Sequence, residues 1–289
     1  MTPLRQFAAD FAKSRAAVAG LAIFALLLLA ALLAPWISPQ NPYDLAGLDL
    51  LDARLAPGAR SAAGGTYWLG TDGQGRDMLS AILYGLRSSV SVGFASTAIG
   101  LIIGVCAGLA AAWFGGWLDG FLMRLADLQL AFPSILIALI LLAVMGQGLD
   151  KIVIALVAVQ WAYYARTARA AALVERRKDY IEAAVALALP NARIMFRHLL
   201  PNCLPPLLVL AAVQAAAAIT LEATLSFLGL GLPITEPSLG LLISNGFAYL
   251  LSGHYWISLF PGLALLAAVV SINLVADRLR DILDPHRVR

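Results

Sequence analysis

The chain has 289 residues, of which 61% are hydrophobic and only 13% charged, with a mean hydropathy of +0.84. Soluble domains carry about 25% charged residues, and one core stops growing near ~250–300 residues, so a water-soluble fold cannot hide this much apolar surface. Disordered, collagenous and nucleic-acid-reading chains are excluded with it, and a multi-span membrane protein remains.

A helix crosses the hydrocarbon with about 20 apolar residues, because lipid offers no partner to backbone N–H and C=O groups. In chain order the first candidate is 17–37, with the run AIFALLLLAALLAPW. Arg5, Lys13 and Arg15 before it resemble the basic start of a signal peptide. The stretch is longer than such a segment needs and no small-x-small site follows, so an uncleaved span is expected. A connection rich in Pro, Gly and Asp occupies 38–87, then come spans at 91–112 and 119–145 and a short one at 152–165 that contains Gln160. After a basic loop at 173–203 follow a span at 204–228, a connection at 229–256 and a last span at 257–276. The middle of that connection, SLGLLISNGFAYLL, is apolar enough to lie on the membrane surface as a helix.

The formal charge of +3 is uninformative until the 20 Lys and Arg are placed on these six spans. With the N-terminus inside, only Arg54, Arg60, Arg76, Arg87 and Lys151 fall outside, and the remaining 15 lie on the cytoplasmic side. Basic residues favour that side, so both termini are expected in the cytoplasm. Removing the short fourth span would destroy the asymmetry, which argues for it.

The chemistry the chain lacks is equally telling. No Gly-Lys dipeptide occurs, so the phosphate-cradling P-loop is absent and nucleotide hydrolysis would have to come from another chain. HExxH and GxSxG are missing too, leaving no catalytic residue to nominate. Cys106 and Cys203 form no metal-spaced pair and read as small core-like residues; no metal site is expected. A buried acid within a span can mark a proton relay, and Glu222 is the best candidate for one.

The loop at 173–203 carries the strongest signal. Residues 175–188 read as a helix whose acid and base lie in the first turns, followed by Ala183, Ala184, Ala186 and Ala188, which favour helix and permit close approach by another surface. Pro190 and Asn191 end that helix or begin the next, and a second short helix at 192–200 leads into the fifth span. Physics alone leaves two readings open, a docking element or a solvated basic loop.

Glu182-Ala183-Ala184, with Tyr180 before it and His198, Leu200 and Pro201 after, resembles the EAA loop of binding-protein-dependent ABC importer permeases. Trp68-Leu69-Gly70-Thr71-Asp72 with Gly75-Arg76-Asp77 and Ser80 is similar to the LGTDxxGRDxxS signature of their dipeptide, oligopeptide and nickel branch. Leu122-Met123-Arg124, Asp127 and Leu130-Ala131-Phe132-Pro133 resemble the start of that branch's third span. Glu222-Ala223, Leu225-Ser226-Phe227-Leu228-Gly229-Leu230-Gly231 and the tail Leu279-Arg280-Asp281, Leu283-Asp284-Pro285 match its later segments. The likeness runs from about residue 15 to the C-terminus and is nearest to the C-type subunits with a long first outer loop.

The resemblance implies an all-α integral membrane protein of the bacterial inner membrane with six transmembrane helices and the type I importer (MetI-like) fold. It divides the chain into an N-terminus and first span (1–37), an outer segment (38–87), a five-helix core (88–280) holding the coupling loop (173–203), and a tail (281–289). It implies a homologous second permease, two ATP-binding subunits that carry the ATP and magnesium, and an extracytoplasmic substrate-binding protein. Membrane lipid surrounds the assembly, no nucleic acid takes part, and this chain holds no cofactor. The family's usual glycine falls at Ala188 here, which questions the local bend because a side chain disfavours positive φ.

Physical roles can be given to the other pieces. Asp72 can cap the turn after it and Asp77 the helix from Met78, so Gly70, Thr71, Asp72, Gly75, Arg76 and Asp77 form either a self-satisfied anchor or a contact for a binding protein. Gly100, Gly104 and Gly108 line one face of the second span and suit close helix packing. Arg124 and Asp127 are spaced to pair on one face. Pro133 would kink the third span and with Glu222 is a candidate for the translocation path or gate. A permease for short peptides is the leading reading. Nickel or another small solute, a proton-coupled carrier using Glu222 and, more remotely, an intramembrane enzyme are the alternatives.

Overall fold

The computed structural model describes residues 3–44, 48–61 and 64–283. Its elements are helical apart from one small hairpin. A short amphipathic helix α1 (Pro3–Ala12) precedes α2 (Arg15–Ile37), which starts where Ser14 Oγ accepts from the Ala17 N–H. Residues 38–77 hold a 3-10 turn (Leu50–Asp52) and the strands β1 (Ala59–Arg60) and β2 (Thr66–Tyr67), paired antiparallel with Ala59 opposite Tyr67. The 37-residue α3 (Met78–Phe114) follows, capped by Asp77 through the Ser80 N–H at 2.8 Å. Next come α4 (Gly116–Leu130), α5 (Ser134–Met145), α6 (Leu149–Glu175) and α7 (Asp179–Ala186). A continuous run then joins α8 (Asn191–Arg193), a π-helical turn (Ile194–Leu199) and α9 (Leu200–Phe227), and α10 (Leu239–Phe247) and α11 (Trp256–Leu283) complete the chain.

Among the described residues, four helical stretches are long and apolar enough to cross a membrane: Arg15–Ile37, Met78–Phe114, Asn191–Phe227 and Trp256–Leu283. The expected span at 119–145 is not one kinked helix but two, α4 and α5, meeting at 91° and together making a fifth candidate. Pro133 sits at that corner as the N-cap of α5, where its ring sets φ and it owes no N–H to the preceding turn. The stretch read as a short span at 152–165 is the middle of a 27-residue helix, α6. Hydropathy falls after Ala165 because Arg166 and Arg169 follow, yet the helix continues because both are paired. Arg169 makes a bidentate bridge to Asp119 at 2.5 and 2.6 Å, and Arg166 lies 3.2 Å from Asp127. Asp127 therefore pairs across α4 and α6 rather than with Arg124 on its own helix.

The most extensive contact is between α3 and α6, and the glycine stripe makes it possible. A Cβ at Gly104 would lie 2.4 Å from the Trp161 carbonyl oxygen, and one at Gly108 would lie 2.3 Å from that of Ala165. Gly100 is looser, with Gln160 Cβ 3.4 Å from the equivalent position. Cys203 is buried in the core below these helices, whereas Cys106 is exposed on α3, unlike the core placement expected for both.

Three apolar clusters fill the bundle. One gathers Met78, Leu86, Ile219, Leu242 and Ile257 from α3, α9, α10 and α11. A second joins Val92, Leu142, Leu156 and Leu225, and the third joins Leu109, Ala172, Ile181, Leu199 and Leu207 at the far end of α3. The helix expected to lie on the surface within 229–256 exists as α10, but it is wedged into the bundle. Gly240 lets it touch α9, since a Cβ there would fall 2.0 Å from the Ala223 oxygen. Leu239, Leu241 and Leu242 are buried.

Candidate functional site

Two long connections lie at opposite ends of α3. At its C-terminal end, the loop between α6 and α9 folds around α7. The helix begins at Asp179 rather than 175, because residues 176–178 form a turn in which the Lys178 N–H reaches the Glu175 carbonyl oxygen. Ile181 and Ala184 point inward and join the cluster formed by Leu109, Ala172 and Leu199. Glu182, Ala183, Val185, Ala186 and Leu187 face outward, with Leu187 74% exposed. The α7 segment thus has one face seated on the bundle and an opposite face, with Asp179 and Glu182 beside alanines, left open.

Side chains pin this loop to its neighbours. Glu175 accepts from Lys178 Nζ at 2.6 Å and Tyr180 Oη at 2.7 Å. Asn202 donates from Nδ2 to Tyr180 Oη at 3.1 Å and to the His198 carbonyl at 2.8 Å. Tyr180 consequently bridges the end of α6 and the start of α9. Partial burial opposes ionisation of Glu175, but the bonds from Lys178 and Tyr180 outweigh it and hold the carboxyl below its ordinary range. Burial, helped by the Glu175 charge, pushes the Tyr180 hydroxyl up to about 12. Arg176 ties the same corner to α3, donating to the Ala112 carbonyl at 2.8 Å with its guanidinium 5.3 Å above the Trp113 ring.

The bend after α7 forms without glycine. Ala188 takes φ +51°, the left-handed region, one of two non-glycine residues among those described to do so. Pro190 then caps α8. The expected separate helix at 192–200 is instead continuous with α9, interrupted only by the π-helical turn in front of Pro201. Proline there offers no N–H to the Arg197 carbonyl, which accounts for the widened turn. His198 is half-buried, Leu200 partly buried and Pro201 exposed.

At the other end of α3, the motif of residues 70–77 is turned in on itself. Asp72 Oδ1 accepts from the N–H groups of Gln74 and Arg76, and its Oδ2 accepts from Arg76 Nε at 2.8 Å. Arg76 is 1% exposed and reaches the Ile234 carbonyl at 3.4 Å, linking this segment to the α9–α10 connection. Thr71 Oγ1 donates to the Asp52 carbonyl at 2.5 Å and its own carbonyl accepts from Trp256 Nε1 at 3.1 Å. Gly70 fits with φ +79° and no room for a side chain, Leu55 O lying 2.6 Å from a Cβ position. The Asp77 N–H donates to Gln40 Oε1, fastening α3 to the chain that leaves α2.

Glu222 lies in α9 with no exposure, and its carboxylate accepts from Ser89 at 2.6 Å and Ser226 at 2.8 Å. Two cavities open between α6, α9 and α11. One, about 920 Å³, has Glu175, Lys178, Asn202, Asp277 and Arg280 in its wall, and the other, about 420 Å³, includes Tyr163, Gln214 and Asn273. Neither wall contains Glu222 or Pro133, although Ser134, beside the α4–α5 corner, borders the smaller one. Hydropathy had no means of finding this groove, since its polar residues are scattered singly through apolar runs. The tail residues Asp284 and Pro285 lie outside the described residues. Among those described, no group of three or more His, Cys, Asp or Glu is arranged to hold a metal.

Comparison with known proteins gives these surfaces a context. Residues 100–289 match the family described as binding-protein-dependent transport system inner membrane component, and residues 2–57 match the N-terminal TM domain of oligopeptide transport permease C. The dipeptide transport system permease protein DppC of Escherichia coli (strain K12) is 41% identical over 99% of this chain and 94% of its own length. The di/tripeptide transport system permease protein DppC of Pseudomonas aeruginosa is 38% identical, covering 98% of this chain and 92% of its own. Among solved structures, the MetNI methionine ABC transporter in an inward-facing conformation superposes with a TM-score of 0.57, over 71% of this chain and 97% of that one, at 21% identity. That likeness concerns the fold.

Proposed function

The chain belongs to the family of binding-protein-dependent transport inner membrane components, and on that premise we propose that it is the permease subunit of an ATP-driven importer of short peptides. The loop around α7 carries the proposal. Its inner face is locked to α3, α6 and α9 while Glu182, Val185 and Leu187 stay open, as a helix that docks into another subunit and moves the bundle requires. With no P-loop in the sequence, ATP and magnesium would be bound by two partner subunits, and docking at this loop would carry their motion into the membrane. A second, homologous permease would complete the path, and an extracytoplasmic binding protein would deliver solute to the side of residues 38–77. Six spans with both termini cytoplasmic then require α4–α5 and α6 to cross as well. The salt bridges between α4 and α6 support this, since they neutralise charges that lipid would penalise.

Peptide is favoured over nickel because relatives similar over nearly the full length are named for di- and tripeptides. Glu222, bonded to two serines, acts here as a polar clasp between α3 and α9 rather than as a proton carrier. Pro133 serves as a corner on which α5 can swing. The test is co-purification of the reconstituted four-component complex. Glu182→Lys is expected to abolish retention of the ATP-binding subunits and peptide uptake; unchanged retention would remove this role from the loop.

A further inference from the structure

The two cavities adjoin at Val213, which lines both, and follow one another along α6, α9 and α11 as the two ends of a groove interrupted there. Helical spacing builds it: Tyr163, Thr167, Ala171 and Val174 step along α6 every three or four residues and line it in turn. Chemistry changes along its length. The wide end, next to the α7 loop, presents Glu175 and Asp277 with Lys178 and Arg280, two charges of each sign. The narrow end contains hydroxyl and carboxamide side chains but no charged one, Tyr163, Gln214, Thr220 and Asn273 standing among alanine and valine.

Gln214 Nε2 is buried and has no hydrogen-bond partner. A buried donor left unmade is costly, and in a lipid-covered helix face it would be costlier still. Resting on the peptide-importer reading, we propose that this groove is the chain's half of the solute path and that Gln214 and Asn273 recognise the peptide bond itself. A carboxamide both donates and accepts, matching the C=O and N–H that every peptide presents whatever its side chains. Asp277 and Arg280 at the wide end, beside the Glu175–Lys178 bridge, offer both signs to a solute that carries an ammonium and a carboxylate. The path bypasses Glu222, so no fixed charge at mid-depth selects among acidic, basic and neutral peptides.

The complete transporter, reconstituted with its partner permease, ATP-binding subunits and binding protein, tests this with an alanyl-alanine probe. Gln214→Leu and Asn273→Leu should each lower peptide taken up per ATP hydrolysed at least about tenfold, as expected where a site built on hydrogen bonds loses one. Binding-protein-stimulated ATPase activity and complex assembly should persist, and Gln214→Asn should recover part of the loss. In a Cys106→Ser background, which removes the exposed native thiol, Gln214→Cys and Asn273→Cys should react with a membrane-impermeant thiol reagent. Uptake and ATPase falling together, uptake per ATP unchanged, or thiols that stay unreactive would overturn the proposal. Cysteine variants that label, together with a wild-type complex that hydrolyses ATP but imports no dipeptide, would instead sink the peptide reading and, with it, the role given to the two amides.

Discussion

The connections at the two ends of α3 use their polar residues in opposite ways. Residues 70–77 turn theirs into the fold: Asp72 holds three donors from its own turn, Arg76 is buried against it, and Thr71 is bonded to Asp52 through its hydroxyl and to Trp256 through its carbonyl. The α7 loop anchors only its inner face and leaves Glu182, Val185 and Leu187 unspent. Both segments are motif-rich in the sequence, but only geometry separates a motif that builds the chain from one that awaits another molecule.

Substitutions that sharpen this contrast differ in size. Asp72→Ala strands a buried guanidinium and should destabilise the folded chain by about 3–5 kcal/mol, read as a large drop in thermal unfolding temperature in detergent. Gly104→Val forces a methyl group toward the Trp161 carbonyl and should cost about 1–3 kcal/mol by the same measurement, separating α3 from α6. Ala188→Gly has the opposite sign. It relieves a left-handed alanine at a penalty of ~1–2 kcal/mol, offset in part by glycine's entropy, so a gain of about 0.5–1 kcal/mol is expected. Leu187→Ser should leave stability within about 0.5 kcal/mol yet weaken retention of the ATP-binding subunits in a pull-down. A large loss of stability there would place Leu187 in the core.

Much of this architecture is legible in the sequence where one local rule dominates. The run at 17–37 is α2 almost to the residue, and Asp77 marks the start of α3 through its capping side chain. Legibility fails where distant groups decide. The end of α6 is hidden because Arg166 and Arg169 look like an exit from lipid until Asp119 and Asp127 are placed beside them. The π-helical turn, the wedge of α10 and the groove at Gln214 likewise depend on what faces them, which one-dimensional spacing does not contain. Ala188 is the converse case: the missing glycine suggested a lost bend, and packing of the loop supplies the conformation that the side chain disfavours.

The contact between α2 and α11 sets an order of events during synthesis. Gly20 sits so close to Leu274 and Ser271 that a Cβ would lie 2.8 Å from Leu274 Cβ, and Arg278 of α11 donates to the Asp10 carbonyl in α1. Some 250 residues separate these partners, and contacts of such long range form late. α2 can meet α3 early, as the rings of Phe24 and Phe94 do 5.8 Å apart, but the face that carries Gly20 stays open until α11 is made. A chain cut before residue 271 would therefore keep the α2–α3 contact and lose the α2–α11 one, which makes α11 the element that closes this side of the bundle.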